Sequence, residues 1–226
     1  MVILKGKFES EINEIEKLLQ KLDLLEERNF YPNNDSDLSL YRNKNILDNW
    51  KSLIADNKYI FMLSDSSLLN FKFDENYKKI SFTFFECPYN CPTYKEYLIE
   101  NNLEEGFEDK IMYDYYESYI LQCSQKEHPT IIRYDFDIDS YFEGLHPVSH
   151  MHIGFNNQIR LGVKKILYPK SFISFILRQN YPTHWKSIIV SRKNKWKTYF
   201  LKEKSTLRDV ENVNWQVLDY TEFYLS

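Results

Sequence analysis

The spacing of apolar residues predicts that the chain begins with two helices. Apolar residues recur at intervals of three and four, with charged residues between them, at Ile12, Ile15, Leu18, Leu19, Leu22 and Leu25. This is the spacing of one buried helix face. A polar break follows over residues 32–37, and a second short helix is predicted over 46–56 with Trp50 on its inner face. Residues 1–56 are therefore expected to form a helical N-terminal part.

The apolar period shortens to two in the middle of the chain. Residues 58–63, 69–73 and 80–86 are short, rich in Ile and Phe, and separated by polar clusters that are typical of turns. Their phenylalanines alternate with polar or small residues, which indicates an antiparallel meander with one face on a core. Helical spacing returns over 108–122, so we expect one helix inserted into a sheet that spans 58–165.

Three more strands are predicted in the stretch that follows. Residues 130–139, 150–155 and 159–163 have the composition of strands, and the pair Asn156-Asn157 between the last two indicates a hairpin turn. We expect the first two of these strands to be antiparallel neighbours in the sheet.

Residues 166–226 are predicted to form a helix and a basic tail. Pro169 and Ser171 precede an apolar run over 172–177, where we expect a helix with Ser171 as its N-cap. From Lys186 onward, aromatic residues are mixed with lysines, and we assign this tail loosely to strand and loop.

Together these elements predict a single α+β domain over 1–226, with a mainly antiparallel sheet and helices packed on one face. The hydrophobic content of 43% is too high for a disordered chain. No apolar run approaches the ~18 residues of a membrane span, and charges appear too early for a signal peptide. We therefore expect a cytoplasmic protein with no membrane association. The cysteines, interpreted as structural thiols, are Cys87, Cys91 and Cys123.

Histidines are clustered in one of the predicted strands. Three of the five in the chain lie within seven residues, at His146, His150 and His152. Side chains of a strand alternate between two faces, so His150 and His152 share one face while Met151 and Ile153 share the other. The apolar pair is expected to face the core, which places both imidazoles on the opposite, polar face.

The same alternation collects charges on the strand at 130–139. Arg133, Asp135, Asp137 and Asp139 share one face of it. If this strand pairs with the histidine strand, two imidazoles, one guanidinium and several carboxylates meet on one face. A partly covered cluster of this kind is where perturbed pKa values and proton transfer occur.

Three interpretations of this cluster remain open. In the first, His150 and His152 are the acid and base of a metal-free ribonuclease, Arg133 binds the phosphate and Asp135 orients a histidine, with His146 as a further catalytic residue. In the second, the His150 and His152 pair holds one divalent metal, with Asp135 or His146 as third ligand. In the third, the polar face only stabilises the fold.

These segments resemble a bacterial family described as a domain of unknown function, number 2290. The resemblance rests on RYDFD at 133–137, HPVSHMHIG at 146–154, the strand ending at Val163 and LYPKSFISFILRQNYP at 167–182, and it covers roughly residues 50–190. It implies a small intracellular bacterial protein, often encoded near mobile or defence islands. A second similarity, to ribonuclease-like toxins of the TumE type, rests on Arg133, Tyr134, Asp135, His150 and His152.

The tail between residues 186 and 204 is rich in basic and aromatic residues. Such a mixture can contact phosphates and stack on bases. It predicts binding of RNA or single-stranded DNA through Arg192, Lys193, Lys195, Trp196 and Lys197. A solvated turn between two strands is the alternative. Because the net charge of the chain is −4, any such binding depends on a local patch.

The leading predicted function is that of a component of a bacterial defence or toxin-type system that acts on nucleic acid through the histidine pair. This scheme needs no cofactor, whereas its metal-binding variant needs one divalent ion at His150 and His152. The alternative is a non-enzymatic partner or scaffold subunit of a complex, which would bind another protein of the same operon. The sequence leaves open whether the protein is an enzyme.

Overall fold

A computed structural model gives the architecture of residues 5–30, 45–73, 79–103, 109–155, 159–191 and 195–226. The α-helices of these residues are α1 (Lys5–Lys21), α2 (Ile46–Ala55), α3 (Tyr94–Glu100), α4 (Asp109–Ile120), α5 (Pro169–Asn180), α6 (Pro182–Val190) and α7 (Lys195–Thr206). The strands are β1 (Leu25–Arg28), β2 (Phe61–Leu63), β3 (Leu68–Phe73), β4 (Lys79–Phe85), β5 (Ile131–Asp137), β6 (Ser149–Ile153), β7 (Ile159–Val163) and β8 (Tyr224–Leu225).

These strands form one sheet in which neighbours in the chain are also neighbours in space. Successive pairs from β1 to β7 are antiparallel. The last pair, β7 and β8, is parallel, and a parallel pair needs a long crossover connection, which here contains α5, α6 and α7. The predicted α+β class with a mainly antiparallel sheet is confirmed, as is the antiparallel pairing of β5 with β6.

The larger of two cores lies on the sheet face that α1, α5, α6 and α7 cover. Rings from the helices meet rings from the strands there. Phe172 of α5 lies 5.8 Å from Phe82 between ring centroids, and Phe8 of α1 stacks on Phe73 at 5.0 Å. Tyr134 of β5 is fully buried in this core. The alternating phenylalanines noted in the sequence are therefore the sheet's contribution to its main core.

A smaller core covers part of the other face. It contains Trp50 of α2 and Tyr116 of α4, packed with Met62 and Phe85 from the sheet. Phe85 directly follows Phe84 of the larger core, so the two cores lie on opposite faces. Helices thus pack on both faces, whereas the sequence predicted one helical layer. The thiols Cys87, Cys91 and Cys123 are free and pack in or against this smaller core.

The start of α5 is capped by a side chain from another helix. Ser171, predicted as the N-cap, instead lies buried inside the helix, whose N-cap residue is Tyr168 and whose first residue is Pro169. The buried carboxylate of Glu11 on α1 accepts the backbone N–H of Lys170 at 3.1 Å. The first N–H groups of a helix lack partners within it, so Glu11 satisfies one of them and ties α1 to α5.

The C-terminal part departs most from the prediction. Instead of strand and loop, it forms α6 and α7, whose aromatic residues enter the larger core. Phe200 packs on Trp185 and Trp196, with centroid distances of 5.2 and 5.3 Å. Positions 196 and 200 are four apart and so share one face of a helix, which explains why the segment folds as a helix despite its lysines.

Smaller differences concern element boundaries. Leu25 begins β1 instead of extending the first helix. The sequence predicted one helix inserted into the sheet, but the structure has two, α3 and α4. Thr93 and Glu96 form a capping box at the start of α3. The predicted break at 32–37 and the turn at 156–157 lie outside the described residues.

Within the described ranges, no helix combines the length and the apolar character that crossing a bilayer requires.

Gly162 on β7 is expected to be required for packing. A Cβ atom at this position would lie 3.1 Å from Cη2 of the Trp215 ring. We expect Gly162→Ala to displace the ring and to lower the free energy of unfolding by about 1–3 kcal/mol. Urea unfolding followed by tryptophan fluorescence measures this change.

Gly6→Ala is the matched control. Nothing lies within 4 Å of a Cβ atom at Gly6, and alanine is favoured over glycine in a helix by roughly 0.5–1 kcal/mol. The two substitutions should therefore change stability in opposite directions, and equal effects would contradict the packing of Trp215 on Gly162.

Candidate functional site

Two rows of side chains cross strands β4 to β7 on the face of the smaller core. The strand register aligns one row, here called the arginine row, of Thr83, Arg133, His152 and Arg160. It aligns a second row, here called the aspartate row, of Ser81, Asp135, His150 and Gly162. Opposed residues of antiparallel strands point to the same face with Cβ atoms ~4.5–5.5 Å apart, so the register brings the predicted groups together.

Asp135 is the centre of the cluster. Its Oδ2 accepts a hydrogen bond from Nε of Arg133 at 2.7 Å, and its Oδ1 accepts one from Oγ of Ser81 at 2.8 Å. The same Oδ2 lies 3.9 Å from Nε2 of His150 and 3.6 Å from Nε2 of His152. These two distances exceed hydrogen-bond length. Asp135 therefore orients Arg133 directly, whereas the sequence predicted that it would orient a histidine.

His150 is held in one tautomer by the backbone. Its Nδ1 lies 2.7 Å from the carbonyl oxygen of Pro147. A carbonyl oxygen only accepts hydrogen bonds, so Nδ1 carries the proton and Nε2 carries a lone pair. This Nε2 is the atom that faces Asp135. The ring of His146 meets His150 edge-on at 4.8 Å between centroids, but His146 is not among the donors that converge with Asp135 in the described residues.

His152 is buried in the same cluster. Its Nδ1 is inaccessible and has no hydrogen-bond partner among the described residues, and its Nε2 lies beyond hydrogen-bond distance of Asp135. Its ring stands nearly perpendicular to that of His150, with the centroids 4.7 Å apart. Buried polar groups are nearly always hydrogen-bonded, so this imidazole needs a further explanation.

Burial lowers the pKa of both imidazoles. His150 and His152 expose 2% and 3% of their surface. Because burial penalises the charged form, the pKa of His150 falls to about 4 although Asp135 opposes the change, and the pKa of His152 falls to about 3 with a further contribution from Arg133. The sequence predicted both rings in a partly covered cluster on the polar face. They lie on that face but are buried and neutral at neutral pH, which does not favour an acid–base pair with one charged imidazole.

The arginine row carries uncompensated positive charge. Arg160 is exposed and makes no ion pair within the part of the chain that the structure describes. It lies near enough to His152 for its charge to contribute to the lowered pKa of that ring. Arg133 donates a hydrogen bond from its Nε to Asp135. The two guanidinium groups are therefore balanced by a single carboxylate.

The other predicted carboxylates do not join the cluster. Asp137 forms an ion pair with Lys79 at 3.2 Å and accepts a hydrogen bond from Ser140. Asp139 follows the end of β5 and is exposed. The alternation of the strand predicted the face of Asp137 correctly, but Asp137 is paired with Lys79 and Ser140 and not with the groups around Asp135.

Trp215 forms a wall beside the aspartate row. Its ring packs over Gly162, next to Pro147, and its Nε1 is buried without a partner. Gly154 directly follows β6 with a φ of 95° and donates its N–H to the carbonyl oxygen of Ile131. Trp215, which the sequence did not single out, therefore packs at the Gly162 end of the aspartate row.

The predicted nucleic-acid-binding segment lies elsewhere. Lys195 is exposed and Lys197 half-buried on α7, whereas Trp196 is only 4% exposed and packs in the larger core. Trp196 is thus not available to stack on a base. Arg192 and Lys193 lie outside the described residues. Because α7 packs on the larger core, this segment and the two rows are on opposite faces of the sheet.

One family model, described as "Uncharacterized conserved protein (DUF2290)", matches residues 18–219. The match extends on both sides of the segment in which the sequence showed the resemblance, and it includes all the residues of the two rows. No curated protein and no solved structure matches the chain.

The lowered pKa values predict how stability depends on pH. In the unfolded chain both imidazoles have a pKa of about 6.5, whereas in the folded chain the pKa of His150 is about 4 and that of His152 about 3. The unfolded state then binds more protons below the unfolded pKa, so the free energy of unfolding should fall as pH decreases from about 6.5 to about 4. Urea unfolding of chelator-dialysed protein at several pH values measures this fall.

Variants separate these rings from other titrating groups. His152→Asn should make the fall shallower, while His128→Asn, which changes an exposed histidine, should leave it unchanged. Imidazole proton shifts in NMR should stay constant for His150 and His152 down to about pH 5. Titration of either ring near its unperturbed pKa would contradict its burial in the neutral form.

Proposed function

The chain belongs to the DUF2290 family, and for this member we propose phosphodiester cleavage in nucleic acid at the arginine and aspartate rows. Arg133 and Arg160 would bind the phosphate, and the lone pairs of His150 and His152 would serve the activation of the attacking group. The observation that carries the proposal is Arg160, an exposed guanidinium that makes no ion pair with the described residues and lies beside two neutral imidazoles.

The chemistry of the arginine row supports an anionic ligand. A guanidinium group presents several N–H donors in a planar fork that matches phosphate oxygens. Arg133 donates its Nε to Asp135, which fixes the direction of the rest of its fork. Arg160 lies two strands away, on the other side of His152. Two positive groups with an imidazole between them suit a phosphate whose charge grows in the transition state.

The environment of the cluster supports a reaction over mere surface binding. Electrostatic interactions are stronger in a site that excludes water, and Asp135, His150 and His152 are all largely buried. The anchoring of His150 on Pro147 and of Asp135 on Ser81 holds both groups before any ligand arrives. Such preorganised polar groups are typical of catalytic sites.

Arg160→Ala is the substitution that tests the proposal most cleanly. Because Arg160 is exposed and unpaired, its removal should leave stability unchanged. A lost charge-assisted hydrogen bond of about 1.5–3 kcal/mol should weaken binding of an RNA or single-stranded DNA oligonucleotide by roughly tenfold to a hundredfold. Fluorescence anisotropy measures the binding, and gel analysis of end-labelled strands measures the cleavage.

Lys195→Ala is the matched control, because Lys195 is an exposed cation on the opposite face of the sheet. It should retain binding and cleavage, whereas equal losses in both variants would assign the binding to diffuse charge. If the wild-type protein neither binds nor cleaves oligonucleotides at low ionic strength, the non-enzymatic partner subunit is the better account. Such a subunit has exposed apolar side chains with which to dock, among them Phe142, Leu145, Val217 and Phe223.

A further inference from the structure

Three donor atoms converge in the aspartate and arginine rows. One oxygen of Asp135, one nitrogen of His150 and one nitrogen of His152 lie within 4.8 Å of one another. The two measured separations from Asp135 Oδ2 are 3.9 and 3.6 Å. A tetrahedral zinc ion with bonds of about 2.0–2.2 Å needs its ligand atoms roughly 3.3–3.6 Å apart. The two Asp135 separations are within a few tenths of an ångström of this range, and an ion would draw the two imidazole nitrogens, which lie within 4.8 Å of each other, closer together.

The buried state of His152 is the second observation. Its Nδ1 has no hydrogen-bond partner among the described residues, although the ring is 97% buried, and its Nε2 lies 3.6 Å from Asp135 Oδ2, beyond hydrogen-bond length. An unsatisfied buried polar group costs free energy, and an ion or a water is its usual explanation. An ion bound at Nε2 would give this imidazole one polar interaction in place of the long approach to Asp135, while Nδ1 would keep its present surroundings.

The hydrogen bonds of His150 and Asp135 match those of metal ligands. A ligating histidine usually donates its other ring N–H to a carboxylate or a backbone carbonyl, as His150 does to Pro147 at 2.7 Å. A ligating carboxylate is usually hydrogen-bonded as well, and Asp135 accepts from Ser81 and Arg133. Its Oδ2 keeps a further lone pair beside the Arg133 bond.

We propose that Asp135, His150 and His152 bind one divalent transition-metal ion. Two imidazoles and one carboxylate are a donor set of catalytic zinc and of non-haem iron sites, whereas magnesium and calcium prefer oxygen ligands. This inference rests on the proposed function, because the ion is the cofactor that would activate the nucleophile for phosphodiester cleavage. The metal itself can be bound whether or not the substrate is nucleic acid.

In the proposed reaction the ion lowers the pKa of a bound water. The water oxygen forms a bond to phosphorus as its proton leaves to solvent, and the bond between phosphorus and the leaving oxygen breaks. That oxygen takes up a proton from solvent. Water is thus added across the ester, leaving one product with a terminal phosphate and the other with a hydroxyl group. Arg133 and Arg160 stabilise the charge on the phosphate oxygens.

The experiment is metal binding by the whole chain. Chelator-treated protein is dialysed separately against zinc, manganese and ferrous iron, and bound metal is measured by elemental analysis. We expect close to one equivalent of at least one of these ions in the wild-type protein and a rise in its melting temperature, since a ligand of the folded state stabilises it. Asp135→Asn and His152→Ala should reduce bound metal to background.

His146→Ala is the matched control. His146 touches His150 but lies outside the converging donors, so this variant should keep one equivalent. Circular dichroism checks that Asp135→Asn, which preserves the shape of the side chain, remains folded. Absence of bound metal in wild-type protein for all three ions, or equal binding by Asp135→Asn, would overturn the inference.

Arg160→Ala separates this inference from the proposed function. It should keep the metal while losing affinity for oligonucleotide. Metal bound by the wild-type protein with no cleavage or binding of oligonucleotides would leave the metal site standing and refute the proposed function. Cleavage that depends on Arg160 but persists after chelation would do the reverse.

Discussion

The pairing register of β5 with β6 is the constraint on which the candidate site depends. Tyr134 and Met151 are opposed in this register and both are buried in the larger core. The hydroxyl of Tyr134 also lies 3.0 Å from Ser149 Oγ and accepts the N–H of Leu167 at 3.1 Å. A slip of one residue would exchange the two faces of a strand, so the buried tyrosine and its hydrogen bonds fix the polar rows on the opposite face.

The candidate site is largely covered by neighbouring residues but keeps two of its charged groups accessible to solvent. The smaller core shields one end of the polar face, and Trp215 shields the other beside Gly162. Between them, Asp135 keeps 18% of its side-chain surface exposed and Arg160 is open to solvent. Burying imidazoles costs free energy because both nitrogens are polar. This arrangement is stable only because the hydrophobic packing on the other face is extensive.

How much the sequence could predict depended on how local each feature is. The shared face of Arg133, Asp135, His150 and His152 follows from alternation within two strands, and the antiparallel pairing was inferred correctly from their closeness in the chain. Burial of the histidines was not predictable, because the exposure of a strand face depends on tertiary contacts with residues distant in sequence. Trp215, which packs on Gly162 opposite His150, is one such residue. The sequence indicated a hairpin between β6 and β7, but the register of that hairpin was not worked out. The position of Arg160 opposite His152 was therefore not predicted.

Similar limits apply to the helices. The four-residue spacing of Trp196 and Phe200 was visible in the tail, but the lysines on both sides of Trp196 directed the prediction towards a solvated turn. The hydrogen bond by which Glu11 caps α5 joins residues 159 positions apart in the chain, and no local sequence pattern predicts it. Serine is a common N-cap residue, but Pro169 was the better indicator of where α5 begins, since proline is favoured in the first turn of a helix.

The two ends of the sheet have a consequence for contacts between molecules. An exposed edge strand can template pairing with another chain unless it is short, charged or irregular. At one edge, β1 has four residues, three of them charged, and its pairing with β2 contains a register shift. At the other edge, β8 has two residues. A sheet with terminal strands of this kind offers little unpaired backbone to a second copy, so edge-to-edge association of the folded chain is disfavoured.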